Sequence, residues 1–257
     1  MGENSGTIRG DNVSTVPGVF AASCMVVLSL ICGNVRASER VSATSESAAA
    51  SGTVEGTVVY EQDPARLWRY ARYYVKNRNR GQLAEAVVAL TGLTRKKSDP
   101  PAGSATVVMD QKNFQFAPET VAIRAGDRVR FRNSDNEVHN VRTVRSGHSF
   151  NVSLPAGDQH LESFRHAGNL RRPYRIGCVY HSAMRAWIFV FDHPHFHVTK
   201  ADGRFRLKDV PAGDYRLEMI HPAGQLRWRQ KIRVEADKTT TMEIRVSPDN
   251  LPKKRSK

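Results

Sequence analysis

Four side chains that suit a redox-active metal are spaced so that only a particular fold brings them together. Cys178, His181 and Met184 lie in the short string CVYHSAM, whereas His139 lies far upstream in VHNV. A thiolate, two imidazoles and a weakly held thioether form the donor set of electron-transfer copper sites, because soft sulfur suits Cu(I) and imidazole suits Cu(II). The spacing therefore predicts a fold in which one loop meets a distant strand at a copper site.

The first 37 residues are predicted to be a signal peptide. Val19 to Ile31 is an apolar run of signal-peptide length, shorter than the roughly 20 residues that a membrane span needs. Small residues follow at Val35-Arg36-Ala37. We expect a periplasmic or secreted protein; the alternative is that the segment stays as an anchor, and membrane contact is expected only then. Cleavage removes Cys24 and Cys32, which leaves Cys178 without a disulfide partner.

The charge of the chain favours acidic partners. The formal net charge is +14, and a basic surface attracts acidic proteins or anionic polymers. Nothing resembles a nucleic-acid-binding motif, so nucleic acid is not an expected partner. Residues 248–257 form a basic end that we predict to be a solvated tail.

Short strand-like runs recur along the chain, and long helical periods are few, which predicts an all-β protein. A Ser/Ala-rich linker is predicted over residues 38–51. In the run GTVEGTVVY that follows, apolar and polar residues alternate as on a half-buried strand. Residues 61–82 are predicted to form a long loop whose role stays open.

Residues 104–192 resemble a cupredoxin, the small Greek-key β-sandwich of plastocyanin, pseudoazurin and amicyanin. The match lies in FAPETVAIRAGDRVRF, in VHNV and in CVYHSAM, whose spacing is similar to the short ligand loop of amicyanin. The resemblance implies one type 1 copper site. Its implied equatorial ligands are His139, Cys178 and His181, and its implied axial ligand is Met184.

The same resemblance implies roles for the neighbours of these ligands. Asn140 matches the position whose side chain ties the two ligand loops together, which orients the ligands. Tyr180, Ser182 and Ala183 flank the copper histidine that usually reaches the surface in such loops. Together with Arg185, they form the expected docking face for an acidic redox protein such as a cytochrome or dehydrogenase.

The flanking segments resemble the carboxypeptidase-regulatory, transthyretin-like sandwich. GTVEGTVVY and AEAVVALTG are similar to its first half, and VTKADGRFRLKDVPAGDYRLEM is similar to its second. We therefore expect a second, smaller β-sandwich that is discontinuous over residues 52–95 and 193–247, with the copper domain inserted. This resemblance predicts no chemistry, since fold alone does not determine function.

Three histidines in the string HPHFH raise the question of a second metal. His195 and His197 would share a face of an extended strand, so they are a candidate pair, with His193 beside them. The alternative is a polar junction between the two sandwiches. An oxidase is disfavoured because multicopper enzymes flank the copper cysteine with histidine, whereas Cys178 lies between Gly177 and Val179.

We expect an electron carrier and not an enzyme. The chain has no G-x-S-x-G elbow, phosphate-binding loop or HExxH motif. Two alternatives to the carrier stay open at this stage. One is a surface- or wall-associated binding protein in which copper is structural or absent, and the other is copper capture and delivery.

Overall fold

The computed structural model describes residues 50–61, 68, 75, 80–93 and 105–247. Its described strands confirm the all-β class, with multiple sheets. The predicted signal peptide, nearly all of the linker, most of residues 61–82 and the basic tail lie outside the described residues. Within the described ranges, no helix has the length and apolar character needed to cross a bilayer.

The central sandwich is formed by strands between Thr106 and Phe191. They are β3 (Thr106–Lys112), β4 (Gln115–Ala117), β5 (Thr120–Arg124), β6 (Arg128–Asn133), β7 (His139–Thr143), β8 (Phe150–Leu154), β9 (Gln159–Ser163), β10 (Tyr174–Gly177) and β11 (Arg185–Phe191). One sheet has the order β5-β11-β10-β7-β8 and the other β4-β3-β6-β9. Both sheets contribute to one core, because alternate residues of each strand face inward.

The outer sandwich is formed by strands that precede and follow the central one. They are β1 (Ser51–Tyr60), β2 (Val87–Thr91), β12 (Phe196–Val198), β13 (Arg204–Pro211), β14 (Gly213–His221), β15 (Leu226–Val234) and β16 (Thr239–Val246). They build the sheets β13-β1-β16 and β12-β2-β14-β15. β1 pairs antiparallel with β13 and parallel with β16. Strands that precede and follow the central segment in the chain thus share sheets. The carboxypeptidase-regulatory family of this sandwich and its bounds at residues 52–95 and 193–247 stay predictions.

Two strands are buried on both faces and join the sandwiches. In β11, Ile188 and Val190 face the central core, whereas Phe189 and Phe191 enter a separate apolar cluster. Val87 and Ala89 of β2 enter the same cluster. This burial explains why AWIFVF and AEAVVAL are nearly continuous apolar runs in the sequence, since a strand covered on both sides does not alternate.

Candidate metal centre

Adjacent strands of one central sheet bring the predicted donors together. His139 is the first residue of β7, and Cys178 directly follows the last residue of β10. The two strands are antiparallel neighbours, with Gly177 opposite Arg142. The end of β10 therefore lies beside the start of β7, and the loop after Cys178 reaches His139.

Three donor side chains converge at this end of the sandwich. The ligand atoms of His139, Cys178 and His181 all lie within 4.8 Å of one another. Nδ1 of His181 is 3.2 Å from Nδ1 of His139 and 3.7 Å from Sγ of Cys178. Among the described residues, this is the one group of three or more histidine, cysteine or acidic side chains with such spacing. The two histidines and the cysteine that were predicted as donors from the sequence are therefore neighbours in space.

The cysteine loop is closed by its own backbone. The N–H of Cys178 donates to the carbonyl of Met184 at 3.3 Å, and the N–H of Met184 donates to the carbonyl of His181 at 2.9 Å. The side chain of Met184 is buried in the same apolar core as Cys178. The loop thus holds its cysteine, histidine and methionine in a compact turn between β10 and β11.

Asn140 connects the histidine strand to the cysteine loop. Its Oδ1 accepts the N–H of Val179 at 3.3 Å, one residue after the cysteine. Its Nδ2 donates to Oδ1 of Asn151 at 2.7 Å and to the carbonyl of Val152 at 3.1 Å. A buried amide with these partners fixes both backbones next to the donors.

Asp135 is a functional residue that sequence reasoning missed. Its carboxylate lies 2.8 Å from Nε2 of His139 and also accepts the N–H groups of Asn113 and Phe114. Although burial opposes its charge, these three hydrogen bonds hold the pKa of Asp135 below the ordinary value. Because a carboxylate only accepts, Nε2 of His139 donates this hydrogen bond, and in the neutral tautomer Nδ1 is then the acceptor nitrogen that faces His181.

Phe114 was also missed, because its backbone conformation is unusual. Both Asn113 and Phe114 have positive φ, at 54° and 58°, which non-glycine residues seldom adopt. The ring of Phe114 meets the rings of His139 and His181 edge-on, with centroids 5.4 and 5.0 Å apart. The turn after β3 thus covers both imidazoles with one aromatic side chain.

The edge of the site at His181 is partly open to solvent. All four predicted docking residues are exposed: Tyr180, Ser182, Ala183 and Arg185. Three exposed apolar side chains lie next to the donors: Val138 precedes His139, Val179 follows Cys178, and the ring of Phe114 contacts both imidazoles. The buried His139, at 0 % exposure, is in contrast shielded from solvent.

The histidines of HPHFH lie away from this group. His193 and His195 are buried, and the N–H of His195 donates to Nδ1 of His193 at 3.2 Å. That nitrogen is therefore occupied by the backbone. His197 is half-buried, and burial lowers its pKa below the ordinary value. The second-metal hypothesis for His195 and His197 stays a prediction.

Comparison with known proteins gives structural matches alone. No protein-family model and no curated protein matches the sequence. Amicyanin from Paracoccus versutus matches at 22% identity over 40% of this chain and 97% of its own, with a TM-score of 0.31. A purple cupredoxin from Nitrosopumilus maritimus matches at 21% identity over 34% and 100%, with a TM-score of 0.28.

A longer protein is also among the matches. A copper-containing nitrite reductase from Thermus scotoductus matches at 21% identity over 38% of this chain, with a TM-score of 0.31. The matched part of this chain spans 28% of the length of that protein.

Proposed function

We propose that this protein is a cupredoxin-like, type 1 copper protein that carries one electron at a time between redox partners. The observation that carries the proposal is the convergence of two imidazoles and one thiol within 4.8 Å. This is the equatorial donor set of such sites. Met184 of the same loop, whose side chain is buried, is proposed as the weak fourth donor.

The donor geometry fits a cation between the imidazoles. Asp135 accepts a hydrogen bond from the Nε2–H of His139, so in the neutral imidazole Nδ1 is the unprotonated nitrogen, and it lies 3.2 Å from Nδ1 of His181. Two ring nitrogens that both present lone pairs repel each other, and a bound cation or a shared proton removes that repulsion. A thiol at the same point adds a soft donor that is deprotonated when a metal binds, so copper fits the group.

The protein supports electron transfer by holding its donors still. When bound, copper supplies the Cu(I)/Cu(II) couple. Asp135 orients His139, Asn140 ties the histidine strand to the cysteine loop, and the two backbone bonds of that loop fix Cys178 against Met184. Donors that are held by hydrogen bonds and a packed core move little when the charge at the site changes, which favours a fast one-electron exchange.

We place the exit for the electron at the exposed edge by His181. Exposed apolar side chains surround this edge, and the hydroxyl of Tyr180 lies 3.2 Å from Oγ of Ser153, which holds its ring in place. Arg185 adds positive charge beside the patch. A small apolar surface with a basic border suits the brief contacts of an acidic redox partner.

The proposal also covers the location of the protein and the role of its outer sandwich. Export would place the carrier in the periplasm or outside the cell. The outer sandwich is proposed to be a carboxypeptidase-regulatory-like module that holds the central one and performs no chemistry of its own. No bond-making step is assigned to either sandwich.

Copper addition tests the proposal directly. We expect metal-free protein to bind one Cu(II) per chain with an intense visible thiolate-to-copper absorption that ascorbate bleaches reversibly. Cys178→Ala should abolish the colour, while Met184→Leu should keep it and raise the reduction potential. His160→Gln changes a histidine whose Nε2 contacts Glu162 and not the site, so it should behave as wild type. A folded protein that takes up no Cu(II) contradicts the proposal.

A further inference from the structure

A basic cleft lies at the boundary between the central and outer sandwiches. Its volume is about 620 Å³, within the range of roughly 300–1,000 Å³ that small-molecule sites occupy. One wall is formed by β10, β11 and the loop that precedes β10, and the other by the turn between β14 and β15. Its polar and aromatic lining includes Arg171, Arg172, Arg175, Arg185, Trp187 and Arg227.

Strand register places part of this lining on one face of the sheet. Arg175 of β10 is directly opposite Trp187 of β11, and Gly177 is directly opposite Arg185. Directly opposed residues of antiparallel strands point to the same side. Arg175, Trp187 and Arg185 therefore share the face that looks away from the central core. Gly177 contributes no side chain, which keeps this face open.

The outer sandwich contributes the opposite wall. Arg227 of β15 pairs with Ile220 of β14, and both line the cleft together with Pro222. Positive charge thus approaches the cleft from both sandwiches, and apolar side chains such as Leu170 and Phe189 also line it. The arrangement depends on how the two sandwiches pack and not on one loop.

The positive charges of the cleft have no acidic partner within the described part of the chain. No aspartate or glutamate lines the cleft, and none of its arginines forms an ion pair with a described carboxylate. Other arginines do: Arg132 pairs with Asp110 at 2.8 Å, and Arg206 pairs with Glu55 at 3.5 Å. Like charges gathered in a concave site with apolar walls focus a positive potential that an anion relieves.

We propose that this cleft binds a small organic or inorganic oxyanion that carries several phosphate or carboxylate groups. The planar guanidinium group matches both kinds of oxyanion with paired N–H donors. Arginines on several sides of one cavity favour a ligand with several charged groups over a single-charge ion. Trp187 offers a flat apolar wall to the uncharged part of such a ligand.

Calorimetric titration of the full-length protein tests this proposal and requires no copper, so its outcome is independent of the proposed electron transfer. The probes are tripolyphosphate and citrate at fixed ionic strength. Saturable binding of either probe supports the site, and the probe that binds more tightly distinguishes phosphate from carboxylate chemistry. Absence of saturable binding by both probes overturns the proposal.

Variants locate the binding. Arg175→Gln combined with Arg227→Gln removes one charge from each wall and should weaken binding by about tenfold or more. Arg130→Gln combined with Arg165→Gln removes the same net charge from exposed positions outside the cleft and should weaken it less than about twofold. Equal losses in the two variants would show unspecific attraction and refute the site. If the cleft double variant unfolds, Arg227→Gln alone gives the same test.

Discussion

The carboxylate of Asp135 lies 2.8 Å from Nε2 of His139, so a partly exposed turn residue orients a fully buried imidazole. The same carboxylate caps the turn at Asn113 and Phe114. One acidic side chain thus couples the conformation of the turn after β3 to the tautomer of a proposed copper ligand.

Asp135→Ala should weaken copper binding by about 10–100-fold, as loss of a ligand's carboxylate partner commonly does. The reason is that His139 loses the acceptor that fixes its ring and its proton. Competition with a coloured chelator measures the affinity. Asp135→Asn keeps one carbonyl oxygen and should have a smaller effect. Asp158→Ala removes an exposed carboxylate on another turn, and a comparable loss there would contradict the assigned role.

Phe114→Ala should leave stability almost unchanged but speed the loss of copper. The ring is 48% exposed, so its removal should alter the free energy of unfolding by only about 0.5 kcal/mol. Alanine has nearly the same conformational penalty at positive φ as phenylalanine. The difference between the variant and the wild type therefore reports the loss of the ring that covers both imidazoles. Stopped-flow removal of copper by a chelator gives the rate. Leu161→Ala, at an exposed apolar side chain of β9, should not change that rate.

Asn140→Ala should lower the free energy of unfolding by about 2 kcal/mol, because it removes a buried amide and leaves its partly buried backbone partners unpaired. It removes the acceptor of the Val179 N–H and both bonds made by Nδ2. Urea unfolding of the metal-free protein measures the change. Asn151→Ala removes only one of these partners and should cost clearly less. Similar losses in the two variants would argue against Asn140 as the link to the cysteine loop.

Glu85 should make the protein less stable as the pH rises. Its carboxylate accepts the N–H groups of Glu119 and Thr120 at the boundary of the sandwiches. Burial, followed by the negative charge of Glu119, raises its pKa from 4.5 to about 7. The folded state therefore binds more protons than the unfolded chain between these values, and stability falls as the pH rises through them.

Glu85→Gln should remove this pH dependence. The wild type should lose up to about 3 kcal/mol relative to the variant between pH 4.5 and pH 8, measured by urea unfolding across that range. Glu137→Gln, at an exposed carboxyl on another segment, keeps Glu85 and should therefore keep the fall in stability with pH. A Glu85→Gln curve parallel to the wild type would contradict the assignment.

The donors of the site could be read from the sequence because they lie on strand ends and in one short loop. Their donor types and the resemblance of VHNV and CVYHSAM to cupredoxin segments singled them out, and the antiparallel pairing of β7 with β10 brings the two segments together. The all-β class followed from the alternation of apolar residues. Residues that a donor set or a strand pattern identifies were thus predictable.

Residues whose role depends on a tertiary contact were not predictable. Asp135 lies in NSDNE, where an acidic residue is ordinary turn composition. For Phe114, nothing in KNFQF indicates that positive φ turns its ring onto two imidazoles. The sequence does not indicate a cleft at Arg171 and Arg172, since the cleft that they line exists only after two sandwiches pack together.

The parallel pairing of β1 with β16 sets the order in which a nascent chain can finish its parts. The central sandwich has all of its strands once Phe191 has emerged, whereas β1 acquires its last neighbour only with the segment that ends at Val246. Synthesis from the N-terminus therefore completes the central sandwich, with the proposed metal site, first and the outer sandwich afterwards. A chain stalled before Thr239 would carry a complete central sandwich next to an outer sandwich with one open, aggregation-prone strand edge at β1.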